Sequence, residues 1–190
     1  YRENEYDIAG MIVGVVDKSK MFDSKKVQAG DVLIGLPSTG LHTNGYSLAR
    51  AVLFERFEAD DFVTELNARL GETLLAVHRS YLQAISAISS LPEVHALAHI
   101  TGGGLAGNTS RVIPEWLGLG IQGKRWECPP IFRLIQKSGD VPDEEMRRTF
   151  NMGIGLIVIV SSAGVDHIMT VLRKSGEHPV LVGEVIRKNK

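Results

Sequence analysis

The sequence predicts an α/β domain, a layered mixed sheet with flanking helices. Strand-like apolar segments alternate with helix-like segments from residue 31 to the end of the chain, a pattern typical of α/β architecture. The hydrophobic share of 44%, with 23% charged residues over 190 positions, is ordinary for a globular domain that buries a core without disulfides. Several of the 20 glycines cluster at the predicted strand–helix junctions, where α/β domains bind their ligands.

Charge, cysteine content and hydropathy exclude several classes of protein. The chain has 21 Lys and Arg against 22 Asp and Glu, a formal charge of −1, which argues against a basic nucleic-acid-binding protein. The single cysteine, Cys128, cannot form an internal disulfide and is typical of a reducing compartment, so we expect a cytoplasmic protein. The longest apolar run, residues 153–160, is far shorter than the roughly 20 residues of a membrane span, so no membrane partner is expected.

The first predicted element covers residues 8–17, which are apolar on both faces and therefore predict a strand buried on both sides. This strand has no evident local partner, so we expect it to pair with material outside the domain. After a polar break at 23–26, a strand over 31–36 is followed by a polar loop at 37–45 and a helix over about 46–57.

The remaining elements continue the alternation. Gly71 separates two predicted helices at 60–70 and 72–90. Runs of β-branched and apolar residues predict four later strands, at 95–100, 117–121, 154–160 and 180–186. Start and stop signals, including Pro in a first turn and Gly after a last turn, predict helices after Gly104, over 130–138, from Asp143, and over 165–174.

The loop between the first domain strand and its helix is the first candidate site. Ser38, Thr39, His42 and Asn44 place two hydroxyls, an imidazole and an amide at a strand-to-helix junction, where ligands meet helix N-termini. We predict Ser38 and Thr39 to bind substrate, and His42 and Asn44 to be catalytic. The alternative is that Asn44 only caps the helix and that His42 is a solvated loop residue.

The second candidate site is the run Thr101, Gly102, Gly103 and Gly104, which follows a predicted strand. Glycines allow a ligand to approach the backbone N–H groups closely, and the N-terminus of the next helix favours an anion, so we predict a phosphate site. The alternative is a tight turn alone. The spacing also matches a dinucleotide fingerprint, which we reject because Pro114 leaves too short a helix for that fold.

The third candidate stretch leads into the strand at 154–160. Arg148 and Asn151 supply a cation and an amide close to the predicted phosphate site, although a solvated helix C-terminus is the simpler interpretation of the arginine. We predict no metal site, since His95 and His99 are four residues apart on a strand and no cysteine or acid completes a ligand set.

Five segments, taken together, resemble phosphoribosylformylglycinamidine cyclo-ligase, also called aminoimidazole ribonucleotide synthetase, of purine biosynthesis. They occur in the order and spacing of that family over nearly the whole chain, and comprise 6–10 (YDIAG), 30–36 (GDVLIGL), 38–48 (STGLHTNGYSL), 98–104 (AHITGGG) and 148–155 (RTFNMGIG). The chain departs from the family at Val77-His78, where a Pro-Thr-like pair is common, and at Gly107 to Ser110, where a Glu-Asn-Ile-Pro-like run is usual.

The resemblance covers the C-terminal part of the family's chain. It implies that residues 1–25 are the last strand and linker of an N-terminal domain that binds ATP and Mg²⁺, and that 26–190 form the C-terminal domain. It further implies a homodimer, a nucleotide substrate in a groove between the domains, and little activity of this chain alone. The alternatives are a selenophosphate synthetase-like or thiamine-phosphate kinase-like enzyme, or a non-catalytic ligand-binding fragment.

Overall fold

The computed structural model describes residues 6, 8–123 and 125–188. Its strands are β1 (Val32–Pro37), β2 (Phe62–Val63), β3 (Ala68–Arg69), β4 (Val94–His99), β5 (Leu117–Ile121), β6 (Ile154–Val160) and β7 (Val180–Arg187). Its helices are α1 (Tyr46–Leu53), α2 (Leu70–Leu74), α3 (Leu82–Ile88), α4 (Gly104–Ser110), α5 (Pro130–Ser138), α6 (Asp143–Thr149) and α7 (Val165–Lys174). Over the described residues, each helix is too short or too polar to cross a lipid bilayer.

The main sheet has five strands in the order β4-β6-β1-β7-β5. The predicted α/β class with flanking helices is confirmed, but each pairing in the sheet is antiparallel rather than mixed. The alternation of strand and helix predicts parallel neighbours, and β6 and β7 do run in the same direction. They are not neighbours, however, because β1 lies between them and pairs with both.

The sheet is covered on both faces, and β6 shows this in its alternating side chains. Ile157 and Ile159 pack into an apolar cluster with residues of α4, whereas Val158 and Val160 face a second cluster formed with α3 and α7. Such two-sided burial explains the continuous apolar sequence of this strand. A third cluster lies among α1, α2, α5 and α6.

The antiparallel pairing brings three connecting segments to one edge of the sheet. Pro37, at the end of β1, pairs with Ile154, at the start of β6. His99, at the end of β4, pairs with Leu156 of the same strand. The loop after β1, the glycine turn after β4 and the residues that precede β6 therefore meet at this edge.

Residues 8–17 do not form the predicted strand. They lie outside helices and strands, and their apolar side chains are exposed, with Ile12 at 98% and Val15 at 100% of their maximal accessible area. The prediction fails within this chain because a strand that is apolar on both faces needs a paired strand and a packing layer on each face, and the described residues supply no paired strand here. Pairing with material outside the chain stays a prediction. Residues 1–5 and 7, which belong to the same predicted segment, lie outside the described residues.

The predicted helix at 60–70 is wrong, and the predicted helix at 72–90 is only partly correct, since it covers the end of α2 and all of α3 but also the chain between them. A small hairpin of β2 and β3 occupies part of the first, since Asn67 takes a left-handed conformation with φ of 50°, which a helix does not allow. The Gly71 N–H donates to the Ala59 carbonyl at 2.7 Å, and this contact holds the start of α2 against the turn that precedes β2. The chain between α2 and Leu82 is irregular, and α1 also ends at Leu53 rather than near residue 57.

Candidate functional site

Asn151 joins the loop after β1 to the start of β6. Its Oδ1 accepts hydrogen bonds from the Ser38 hydroxyl at 2.9 Å and from the Gly153 N–H at 2.8 Å. Its Nδ2 donates to the Gly40 carbonyl at 2.8 Å. Asn151 is buried, so its polar atoms are satisfied by the chain itself. The structure thus brings Ser38 and Asn151 together, and it gives Asn151 a positioning role.

Asn44 connects the same loop to the glycine turn. Its Nδ2 donates to the His42 carbonyl at 3.0 Å, and its Oδ1 accepts the Gly102 N–H at 2.9 Å. The capping alternative is wrong, since the N-cap of α1 is Gly45, with φ of 74° and no side-chain capping bond. Both ends of the Asn44 amide are engaged, so the residue braces two loops against each other.

His42 is buried, with 2% of its area exposed. The alternative of a solvated loop histidine is therefore wrong. Its Nε2 accepts the Thr39 N–H at 2.9 Å, which leaves the proton of the neutral ring on Nδ1, and Nδ1 is buried without a hydrogen-bond partner among the described residues. Burial, followed by the nearby cationic forms of His78, His99 and Arg79, lowers the pKa of His42 to about 4.

Two further histidines complete a cluster that the sequence did not predict. The His78 ring stacks on the His42 ring with centroids 4.0 Å apart and planes 16° apart. His78 Nε2 lies 3.2 Å from His99 Nε2, so one of these nitrogens donates and the other accepts. Burial, followed by the proximity of His99, lowers the pKa of His78. We call His42, His78 and His99 the histidine cluster.

Gly155 makes room for this cluster beneath the loop. A side-chain Cβ at Gly155 would lie 2.8 Å from His42 Nδ1 and would also collide with the Tyr81 hydroxyl. That hydroxyl donates to the Pro37 carbonyl at 2.7 Å, and burial raises the pKa of Tyr81. Beside it, Arg79 pairs with the buried carboxylate of Glu177 at 2.9 Å, so the arginine's charge is compensated.

The glycine turn has the unusual backbone that its sequence predicts. Gly103 and Gly104 have φ values of 105° and 65°, a region that favours glycine. A Cβ at Gly104 would also collide with the Arg147 carbonyl. Asn108 fixes the turn from within, because its Nδ2 donates to the carbonyls of Thr101 at 3.0 Å and Gly104 at 2.8 Å.

The turn offers fewer backbone donors than the sequence predicts. The Gly102 N–H is used by Asn44, and the Gly104 N–H donates to the Thr101 carbonyl at 3.2 Å. The N–H groups of Thr101 and Gly103 have no hydrogen-bond acceptor among the described residues. The predicted four-residue phosphate site therefore reduces to these two donors.

The structure does not bring the Arg148 side chain to this edge. Its guanidinium is exposed and pairs with Glu145 at 2.6 Å within α6, as expected for a solvated helix C-terminus. Its neighbour Arg147 instead lines a cavity of about 460 Å³ between α4 and the chain after β5, together with Trp126 and Met152. The helical period of α6 could have made this distinction, because adjacent helical residues point in different directions.

The family model described as "AIR synthase related protein, C-terminal domain" matches residues 28–190. The chain belongs to this family. The resemblance noted from the five sequence segments is thereby confirmed.

Relatives named phosphoribosylformylglycinamidine cyclo-ligase match almost the whole chain. The protein from Thermoanaerobacter sp. (strain X514) is 44% identical over 188 residues, covering 98% of this chain and 56% of the relative. That from Desulfitobacterium hafniense (strain DSM 10664 / DCB-2) is 45% identical over 185 residues, covering 97% and 54%. The chain thus spans just over half the length of these relatives.

Solved structures share the fold at low sequence identity. A crystal structure of E. coli HypE aligns with a TM-score of 0.54 and 19% identity, covering 88% of this chain and 47% of that one. The structure of PurLQS from Thermotoga maritima also aligns with a TM-score of 0.54 and 19% identity, covering 92% and 25%. These two comparisons support the fold alone.

Proposed function

We propose that this chain is the C-terminal half of an ATP-dependent cyclo-ligase that converts formylglycinamidine ribonucleotide to aminoimidazole ribonucleotide in purine biosynthesis. The family membership and the names of relatives that are 44% and 45% identical support this proposal. The observation that carries it is the convergence of the His42 loop, the glycine turn and Asn151 at one edge of the sheet.

In the proposed reaction, ATP phosphorylates the formyl oxygen of the substrate. An amidine nitrogen then attacks the formyl carbon, closes the imidazole ring and loses a proton, while the phosphate leaves with the former formyl oxygen. The products are the ring-closed ribonucleotide, ADP and phosphate. Closing the ring thus requires a group that removes a proton from nitrogen.

The histidine cluster is the proposed proton-handling group. His99 is exposed at the edge, and its Nε2 shares a hydrogen bond with His78 Nε2. A neutral imidazole is a good general base near neutral pH. His42 stays neutral because of its burial, so it does not repel a proton that reaches His99. We therefore assign proton transfer to His99 and assign His42 to positioning the stacked His78.

The substrate phosphate is proposed to bind at the glycine turn. The N–H groups of Thr101 and Gly103 have no acceptor among the described residues, and N–H donors at a turn favour an anion. Arg147 lines the adjacent cavity and supplies positive charge, although it also pairs with Asp143 at 2.9 Å. Arg148, bound to Glu145, is not part of this proposed site.

ATP and Mg²⁺ are proposed to bind outside this chain, on an N-terminal domain of the whole protein. Mg²⁺ prefers oxygen ligands in octahedral geometry. In the ranges that the structure describes, the group of potential metal ligands consists of three histidines rather than carboxylates, so these residues do not fit Mg²⁺. The same proposal includes a homodimer of the whole protein and a cytoplasmic location.

The test is to measure ADP release and aminoimidazole ribonucleotide formation with two proteins. One is the 190-residue chain, and the other carries this chain behind an ATP-binding N-terminal domain. We expect no turnover by the chain alone and substrate-dependent turnover by the longer protein. Turnover of a different substrate, with none of formylglycinamidine ribonucleotide, would favour another enzyme of the superfamily.

A further inference from the structure

We propose that His42, His78 and His99 form a binding site for one divalent transition-metal ion of the zinc type. The three rings come from the loop after β1, from the irregular segment before α3 and from the end of β4. One nitrogen of each ring lies within 4.8 Å of the other two. Imidazole nitrogen is a preferred ligand of Zn²⁺, Ni²⁺ and Cu²⁺.

The separation of two of the nitrogens already suits a shared metal ion. His78 Nε2 and His99 Nε2 are 3.2 Å apart. Two nitrogens bound to one tetrahedral zinc ion at about 2.0 Å lie about 3.3 Å from each other. Without a metal ion, these nitrogens share a single proton. The His42 ring stacks on the His78 ring with planes 16° apart, and ring lone pairs lie in the ring planes, so one of these two rings must turn out of the stack for both to bind one ion.

The third ligand is supplied by the buried nitrogen of His42. Its Nδ1 has no hydrogen-bond partner among the described residues, and an unpaired buried polar atom is costly. Metal binding at Nδ1 requires the ring proton to move to Nε2, which then donates to the Thr39 hydroxyl oxygen at 3.0 Å and no longer accepts the Thr39 N–H. That hydroxyl donates to the Val77 carbonyl at 2.7 Å, so the ligand gains the outer-shell partner usual for metal-bound histidine.

The surroundings of the cluster also permit a cation. Arg79 is the nearby fixed positive charge, and its pairing with Glu177 compensates that charge. Because His99 is exposed, the fourth coordination position faces the open edge of the sheet. Three histidines with an open position are the arrangement of a catalytic rather than a structural zinc site.

Among the three ligands, His78 is the one that distinguishes this chain from the family it resembles. It stands where the resembled family commonly has threonine, and without it only two of the ligands remain. The inference does not rest on the proposed function, since metal binding is measured here without nucleotide or substrate. Its failure would leave the proposed cyclo-ligase activity untouched, whereas a zinc-bound His99 could not also accept the proton of ring closure, so added zinc should inhibit that activity.

Zinc titration of the metal-free chain by calorimetry tests the site. We expect one zinc ion per chain. Loss of an outer-shell partner already costs about 10- to 100-fold in metal affinity, so removal of a ligand in His78→Thr or His99→Ala should weaken binding at least about tenfold. His167→Ala is the matched control, since His167 pairs with Glu93 near the opposite end of β4, and it should bind zinc as the wild type does.

Cobalt(II) substitution gives a second readout that does not depend on affinity. A tetrahedral site predicts intense visible absorption bands that disappear in His78→Thr, while circular dichroism confirms that the variant is folded. The proposal is overturned if the wild-type chain binds no zinc, if His167→Ala weakens binding as much as His78→Thr does, or if cobalt shows only the weak bands of octahedral coordination.

Discussion

At the scale of single residues, the burial of His42 makes the stability of the domain depend on pH. The folded pKa, about 4, lies below the ordinary value near 6.5, so the unfolded chain binds more protons between these values. Stability should therefore fall as the pH decreases from about 6.5 to about 4, by on the order of 2 kcal/mol from this residue.

Urea unfolding at several pH values checks this dependence. His42→Gln retains an acceptor for the Thr39 N–H but does not titrate, so its free energy of unfolding should depend less steeply on pH than that of the wild type. Equal slopes for the two proteins in this range would show that His42 is not held neutral. His42→Ala should also lower the free energy of unfolding more than replacement of a surface histidine by alanine would, because the His42 side chain is buried.

A second prediction for single residues concerns the contribution of Asn151 to the stability of the domain. Asn151→Ala leaves the Gly153 N–H and the Gly40 carbonyl without their buried partner, so we expect a loss of about 2 to 4 kcal/mol in the free energy of unfolding. Ser38→Ala removes only one bond of the same network and should cost about 1 kcal/mol. If chemical denaturation gives the two variants the same stability, Asn151 does not organise the loop.

At the scale of elements, one glycine in the glycine turn and one in α4 separate two effects of adding a side chain. One effect is backbone strain, and the other is the space available for the new Cβ atom. Gly103→Ala places a side chain at φ of 105° and should destabilise the domain by about 1 to 2 kcal/mol. Gly107 lies within α4, and a Cβ added there would meet no atom within 4 Å, so Gly107→Ala should stabilise by up to about 1 kcal/mol. Thermal unfolding that shows both variants equally stable would contradict the observed turn.

Local sequence was sufficient to predict some of the helices and strands but not others. Strands with continuous apolar sequence, such as β6, were located correctly because burial on both faces leaves a strong local signal. Residues 60–90 were predicted as helices because the sequence there has apolar spacing compatible with a helix. The left-handed conformation of Asn67 and the hydrogen bond from Gly71 to Ala59 interrupt the helix. The second feature is a tertiary contact, which local sequence does not reveal.

The candidate site was predictable to a similar extent. The loop with His42 and Asn44 was located because its polar residues follow a strand directly. The histidine cluster was not, because His42, His78 and His99 are separated by long stretches of chain and meet only through the strand order β4-β6-β1. The sequence prediction names Arg148 and not Arg147 because it does not use the helical period of α6, which separates the directions of these two side chains.

At the scale of the whole molecule, the exposed apolar segment at residues 8–17 predicts association. Side chains such as Ile12 and Val15 are almost fully exposed, and a contiguous apolar surface of this kind promotes contacts between molecules. Light scattering should therefore detect dimers or larger species of the chain. Deletion of residues 1–20 should restore monomers. If the 190-residue chain, with residues 1–20 present, stays monomeric at high concentration, this prediction is contradicted.

The proposed function makes the edge formed by the ends of β1 and β4 the reacting edge of a cyclo-ligase. The most direct measurement is the rate of aminoimidazole ribonucleotide formation by the longer protein that carries an ATP-binding domain. His99→Gln should lower this rate by about 100-fold or more, as expected for loss of acid–base catalysis. His42→Gln should lower it less, because His42 only positions the stacked His78, and His167→Ala should retain it. A folded His99→Gln protein that keeps the wild-type rate would contradict this proposal.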